Sequence, residues 1–163
     1  GFIHDFDETR KHSSLLLDVD PQTGSKQISK QWTDANYAFR ANMDSMMTSG
    51  AHHIEFLIKE CKDWTSFGIA PSDDDSTRYV GFGESYGLNE DGYLYHDGRK
   101  VAEYLKGQKL KSNDMVAIHL DLYTFSLCFS VNGVNYGRAF TVKPNSYCFA
   151  VSLYRTNACM CLL

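Results

Sequence analysis

The stretch that most restricts how this chain can fold is DMVAIHLDLYTFSLCFSVNGVNYGRAF, residues 114–140. Val116, Ile118, Leu120 and Leu122 recur with a period of two, and so do Phe125, Leu127, Phe129 and Val131. That period marks half-buried strands in an antiparallel sheet. Between Val131 and Val134 stands Asn132-Gly133. A two-residue type I′ turn needs positive φ at both central positions, which Asn and Gly tolerate best, so a tight hairpin is expected here.

Similar patterns run along the rest of the chain. Strands are expected at residues 13–19 and 27–30, with a Pro21-Gln22-Thr23-Gly24 turn between them. Tyr37, Phe39, Ala41 and Met43 alternate, as do Ile54, Phe56 and Ile58 after the Ser49-Gly50 break. Further strands are expected to end at Phe67-Gly68-Ile69-Ala70 and to cover residues 147–153 and 158–163. Gly81, Gly83, Gly87, Gly92 and Gly98 punctuate short aromatic segments, and residues 71–77, with three consecutive aspartates, form a polar surface loop. The only helix-compatible piece is residues 100–106. More than about ten short strands without crossover helices describe an all-β, two-sheet antiparallel sandwich with little helix.

Composition narrows the function classes. The chain has 163 residues, 43% apolar and 13% aromatic, enough for one domain with a sizeable core. Sixteen basic against twenty acidic residues give a net charge of −4, which provides no general attraction for nucleic acid or anionic membranes. No apolar run approaches the roughly 20 residues of a membrane helix, so a soluble chain is expected. It starts at Gly1 without Met, as a fragment of a larger protein would. Met160 stands where a C-terminal prenylation box requires Cys. The five cysteines, Cys61, Cys128, Cys148, Cys159 and Cys161, lack the paired spacing of a disulfide scaffold. Inert thiols in an intracellular, cytoplasmic or nuclear setting are expected.

Catalytic and metal motifs are incomplete. His53-Ile54-Glu55 has the His-x-Glu of zinc deaminases without the following Pro-Cys-x-x-Cys. Asn89-Glu90-Asp91-Gly92 opens like a calcium loop, but the bidentate Glu position falls on Gly98. Asp73-Asp74-Asp75 lacks alternating ligand spacing, and Cys159-x-Cys161 reads as core packing. No nucleophile elbow, zinc-protease helix or phosphate-cradling loop occurs. The expectation is a non-enzymatic domain with no metal and no cofactor.

Four segments resemble the SPRY domain family, called B30.2 when an extra N-terminal motif precedes it. Arg40-Ala41 through Gly50-Ala51-His52-His53-Ile54-Glu55-Phe56 resembles "R-A … G-x-Y-W-E", and Phe67-Gly68-Ile69-Ala70 resembles "x-G-V-A". Ser85-Tyr86-Gly87-Leu88 followed by Gly92-Tyr93-Leu94-Tyr95-His96-Asp97-Gly98 resembles "S-W-G … G … H-x-G". The fourth segment runs from Asn113-Asp114-Met115-Val116 through Leu120-Asp121-Leu122, Phe129-Ser130-Val131-Asn132-Gly133 and Gly137-Arg138-Ala139-Phe140 to Leu153. It is similar to "G-D-x-V-G-V-x-L-D-L … F-x-x-N-G … G-x-A-F … Y-P-x-V-S-L". Tyr86 replaces the usual Trp, His53-Ile54 the usual Tyr-Trp, and Phe149 lies near the usual Pro.

The resemblance implies a bent, jelly-roll-type SPRY sandwich over residues 40–163, with residues 1–39 as N-terminal strands packed on it. It further implies a monomeric, non-catalytic interaction domain of a larger protein such as a ubiquitin-ligase adaptor or scaffold. Such domains bind a short peptide or protein surface through loops at one end of the sandwich. By position, Tyr95 matches a pocket tyrosine of the SOCS-box group. Tyr154, Arg155 and Thr156 match a second wall, where members that bind an Asp-Ile-Asn-Asn-Asn type motif carry Trp-Gly. Aromatic residues and Arg in loops are the usual anchors of interfaces, which adds Trp64, Arg78, Tyr79 and Arg40. Arg40 could equally pair with an acidic neighbour. Arg40, Arg78 and Arg155 allow an acidic or Asn-rich ligand, since guanidinium can hold a carboxylate. The rival class is a lectin-like, glycan-binding sandwich, for which Trp64 beside Asp63 is the only hint.

Overall fold

The computed structural model describes residues 4–32, 38–74 and 77–163. Among the described residues there are fourteen strands: β1 (Phe6–Lys11), β2 (Leu15–Val19), β3 (Lys26–Lys30), β4 (Phe39–Met43), β5 (Ala51–Glu60), β6 (Ser66–Pro71), β7 (Tyr86–Asn89), β8 (Tyr93–His96), β9 (Arg99–Glu103), β10 (Met115–Asp121), β11 (Ser126–Val131), β12 (Val134–Thr141), β13 (Tyr147–Leu153) and β14 (Cys159–Leu162). They form two seven-stranded sheets, ordered β1-β4-β13-β6-β7-β8-β9 and β12-β11-β10-β5-β14-β3-β2, with every pairing between these strands antiparallel. No helix among the described residues is long and apolar enough to cross a membrane. All five cysteines are free thiols, and burial pushes Cys61 up to about 11.

The core lies between the sheets. Ile54, Phe56 and Ile58 of β5 turn inward while His53, Glu55 and Leu57 face out. Val116, Ile118 and Leu120 of β10 pair with Val131, Phe129 and Leu127 of β11, as period two requires. Against them pack Phe67, Ile69, Phe149 and Val151 of the first sheet. Phe125 departs from the expected strand face: its φ of 53° places it in the β10–β11 turn, where the Asp121 carboxylate accepts the Tyr123 N–H at 2.8 Å.

The Asn132-Gly133 hairpin forms as its residues dictate. Their φ values are 51° and 82°, and Val131 pairs directly with Val134. The Asn132 amide donates to Asp114 Oδ1 at 2.9 Å and accepts the Met115 N–H at 2.9 Å, tying the turn to the start of β10.

Two expectations need correction, and one strand had no counterpart among them. Residues 100–106 are not helical: Arg99–Glu103 is an edge strand whose backbone pairs with β8, and pairing overrides a weak local preference. Residues 6–11 form β1, a strand that polar side chains such as Asp7, Glu8, Thr9 and Arg10 concealed. The 39–43 segment is buried at every position and not only on one face, because Arg40 and Asn42 point under the loop that contains Asp74. Tyr37 and Asp75 lie outside the described residues.

The N-terminal strands are woven into both sheets. Strand β1 pairs with β4 in the first sheet, and β3 pairs with β14 in the second.

Candidate functional site

Loops at one end of the sandwich enclose a cleft of about 580 Å³ lined by Ala38, Phe39, Trp64, Thr77, Arg78, Tyr79, Phe82 and Tyr154. Its volume lies in the range of small-ligand clefts, and its lining is largely aromatic. The lining comes from four separate places in the chain, so the cleft exists only once the sheets have assembled.

The first wall is residues 77–85, a loop gripped from below by Arg40. The Arg40 side chain is 1% exposed; its Nε donates to the Arg78 carbonyl at 3.0 Å, one terminal nitrogen pairs with Asp74 Oδ2 at 3.1 Å, and the other reaches Ser85 Oγ at 3.3 Å. The Arg40 backbone N–H adds a bond to the Thr77 carbonyl at 2.8 Å. Ser85 Oγ then accepts the Gly81 N–H at 2.7 Å and donates to the Phe82 carbonyl at 2.6 Å, closing the turn. Gly81 is obligatory there: its φ is 119°, and a Cβ would lie 2.6 Å from the Cβ of Tyr95. Ser152 Oγ accepts the Val80 N–H at 3.1 Å from beneath.

Trp64 forms the second wall. It adopts φ 58°, a left-handed conformation unusual for a bulky residue, at the turn between β5 and β6. Its ring stands edge-on to Tyr79, with centroids 5.5 Å apart, and to Tyr95 at 6.1 Å. Tyr79 in turn meets Phe82 at 5.5 Å and Tyr95 at 6.0 Å, so the four rings form one continuous T-shaped cluster. Beneath this wall the Glu90 backbone N–H donates to the Thr65 carbonyl at 2.9 Å. The Glu90 carboxyl is buried, with Oε1 lacking a hydrogen-bond partner, and burial raises its pKa to about 7, with Asp91 adding to the shift. Burial also pushes the Tyr79 phenol well above its ordinary range, reinforced by Glu90.

The third wall is Phe39 with Tyr154. His12 stacks on Phe39, with centroids 3.5 Å apart and rings 6° from parallel. Arg155 lies over the Tyr154 ring at 4.9 Å and reaches Asp63 at 3.8 Å, bridging the second and third walls across the surface. Arg78 lies 5.6 Å over the Phe82 ring.

Of the eight residues singled out from sequence, Trp64, Arg78, Tyr79 and Tyr154 line the cleft directly. Tyr95, only 8% exposed, stands behind Trp64 and Tyr79 and supports their rings. Arg155 and Thr156 are exposed on the adjoining rim. Arg40 takes the other course open to it: it is buried, it pairs with Asp74, and it presents no surface to a partner. Phe39 and Phe82 complete the lining and were not singled out. Phe82 carried a signal, an aromatic residue between Gly81 and Gly83 in a turn; Phe39 carried none, since its alternation with Ala41 and Met43 reads as ordinary core. Asp63 is committed to Arg155, and among the described residues no group of three metal-ligating side chains converges.

No protein-family model matches the sequence, and no curated protein matches it. Solved structures do match the fold. The SPRY domain of human HERC1 superposes with a TM-score of 0.78 at 16% identity, covering 97% of this chain and 96% of that one. A human SPRY domain gives 0.73 at 19% identity, covering 92% and 94%, and the TRIM65 PSpry domain gives 0.69 at 16% identity, covering 98% and 91%. Coverage this complete at identities this low is a likeness of architecture: the chain has the fold of a SPRY domain.

Proposed function

We propose that this domain is a protein-interaction module that binds a short peptide in the aromatic cleft. The observation that carries the reading is the cleft itself: aromatic rings and an arginine, the residue types that anchor interfaces, converge on a concavity held open by buried hydrogen bonds. A preformed pocket loses little freedom on binding, which suits an extended ligand. The anchors are Trp64, Arg78 and Tyr154, with Arg155 and Thr156 extending the surface and the buried Tyr79, Tyr95 and Arg40 supporting it. The ligand is an acidic or Asn-rich segment, and the domain acts without catalysis as the monomeric recognition part of a larger intracellular adaptor, such as a ubiquitin-ligase subunit. Nucleic acid and membrane have no part in this reading.

Selection from a displayed random-peptide library tests it. Wild type is expected to enrich a consensus motif that Trp64→Ala fails to capture while still unfolding cooperatively, since Trp64 is 44% exposed. Equal capture by both proteins would place the binding surface elsewhere, and glycan-array binding with no peptide enriched would favour the lectin-like class.

A further inference from the structure

Strand β3 alternates as a half-buried strand should, with Ile28 and position 30 turned inward, yet position 30 is a lysine. Lys30 is 2% exposed and pairs in register with the buried Leu15. Its Nζ donates to the Tyr154 carbonyl at 2.7 Å and lies 5.0 Å from the Phe39 ring centroid and 6.0 Å from that of Tyr154. Those two rings are one wall of the cleft, so the ammonium sits directly behind it.

What sets Lys30 apart is the lack of a counter-charge. The other fully buried cation, Arg40, has Asp74; the half-exposed Lys59 has Asp20 at 2.9 Å. Among the described residues no carboxylate lies within ion-pair distance of Lys30. Burial accordingly lowers its pKa, and burial, followed by the Lys30 charge, lowers that of His12, which stacks on the same Phe39 ring. An ammonium at a core position without an anion is a poor structural element, because an apolar residue of similar volume fills such a site at equal or lower free energy. Of the acidic groups near the cleft, Asp74 pairs with Arg40, Asp63 lies 3.8 Å from Arg155, and Glu90, beneath the Trp64 and Tyr79 wall, is raised by burial to about 7 and holds less than a full charge below that pH. The field of Lys30 therefore reaches the cleft through a wall of low dielectric, where salt screens it less than it screens the exposed rim arginine Arg155.

We infer that the cleft selects a ligand bearing a carboxylate, and that Lys30, seated behind Phe39 and Tyr154, is the residue that sets this preference. The inference rests on the cleft being the binding site and adds the chemistry of its ligand. Lys30 is a positioning residue of the field, since the rings stand between it and the ligand.

Three fragments of nearly equal shape test it on the whole 163-residue chain: phenylacetate, phenylacetamide and phenethylammonium, titrated against the Trp64 indole N–H resonance. Wild type is expected to bind in that order, the carboxylate ahead of the amide by on the order of tenfold. Lys30→Met, which keeps the packing, is expected to bind phenylacetamide as wild type does and to lose the carboxylate preference. A second readout needs no variant: the Lys30 Cε shift followed against pH is expected to show a higher pKa with phenylacetate bound and an unchanged one with phenylacetamide. Equal binding of the three fragments, preference for the ammonium, a preference retained in Lys30→Met, or no fragment binding at all would each overturn the inference. A carboxylate or C-terminal source is then separated by acidic peptides with amidated ends against neutral peptides with free ends. Peptides selected without charge preference would sink this inference and leave the cleft as a peptide site; absence of any selected peptide would sink the cleft reading itself.

Discussion

The Asn132-Gly133 hairpin and the 77–85 loop are both tight reversals of the chain, and they are specified in opposite ways. The hairpin is local: two residues that tolerate positive φ sit between paired valines, and the side chain that secures the turn belongs to the turn itself. The loop is held from a distance, by Arg40 from strand β4 and Ser152 from β13. The hairpin is scaffold, and the loop is a wall of the cleft. A cleft wall built by remote supports is free to vary at its exposed residues while its frame persists.

Substitutions can break each side of this contrast. The largest effect is expected from Arg40→Met, which removes the buried ion pair with Asp74 and the donors to the Arg78 carbonyl and Ser85: a loss of about 4 kcal/mol in urea unfolding, together with loss of peptide capture. Gly81→Ala should cost about 3 kcal/mol, because the residue has φ 119° and the new Cβ meets Tyr95. Its signature is a displaced Tyr95 ring, seen as altered near-ultraviolet dichroism.

Glu90→Gln sharpens the contrast through pH. The carboxyl titrates at about 7 in the folded chain, above its ordinary 4.5, so the folded state holds the proton more tightly than the unfolded one. Its contribution to stability is complete at low pH and lost as pH rises from about 4.5 through 7. The glutamine variant should therefore exceed wild type by on the order of 2 kcal/mol at about pH 8, with the gap closing by about pH 4. A constant gap across that range would mean that Glu90 titrates normally. The smallest effect belongs to the hairpin: Gly133→Ala, with φ 82° and open space around it, should cost about 1 kcal/mol and leave peptide capture untouched.

The same contrast explains what could be read from the sequence. Strands β5, β10 and β11 and the hairpin turn are written in residues two apart or adjacent, and their inward faces follow from that spacing. Of the cleft, Trp64, Arg78, Tyr79 and Tyr154 could be picked out because aromatic and arginine side chains near loops are conspicuous. Phe39 could not, since nothing in its strand tells a core phenylalanine from one that turns a face to a cleft. Arg40 and Lys30 occupy strand positions, and only the assembled sheets show that both are buried, one beside Asp74 and the other beside no acid among the described residues. Strand β9 illustrates the remaining failure: five exposed residues acquire their conformation from a partner strand and not from their own pattern.

Hydrogen exchange of the domain with and without a selected peptide tests the central claim most directly. Binding in the cleft predicts added protection confined to the backbone around Trp64, residues 77–82 and Tyr154, with the 131–134 hairpin unchanged. Protection centred instead on the outer face of β10 and β11, around His119 and Cys128, with none at the cleft, would contradict it.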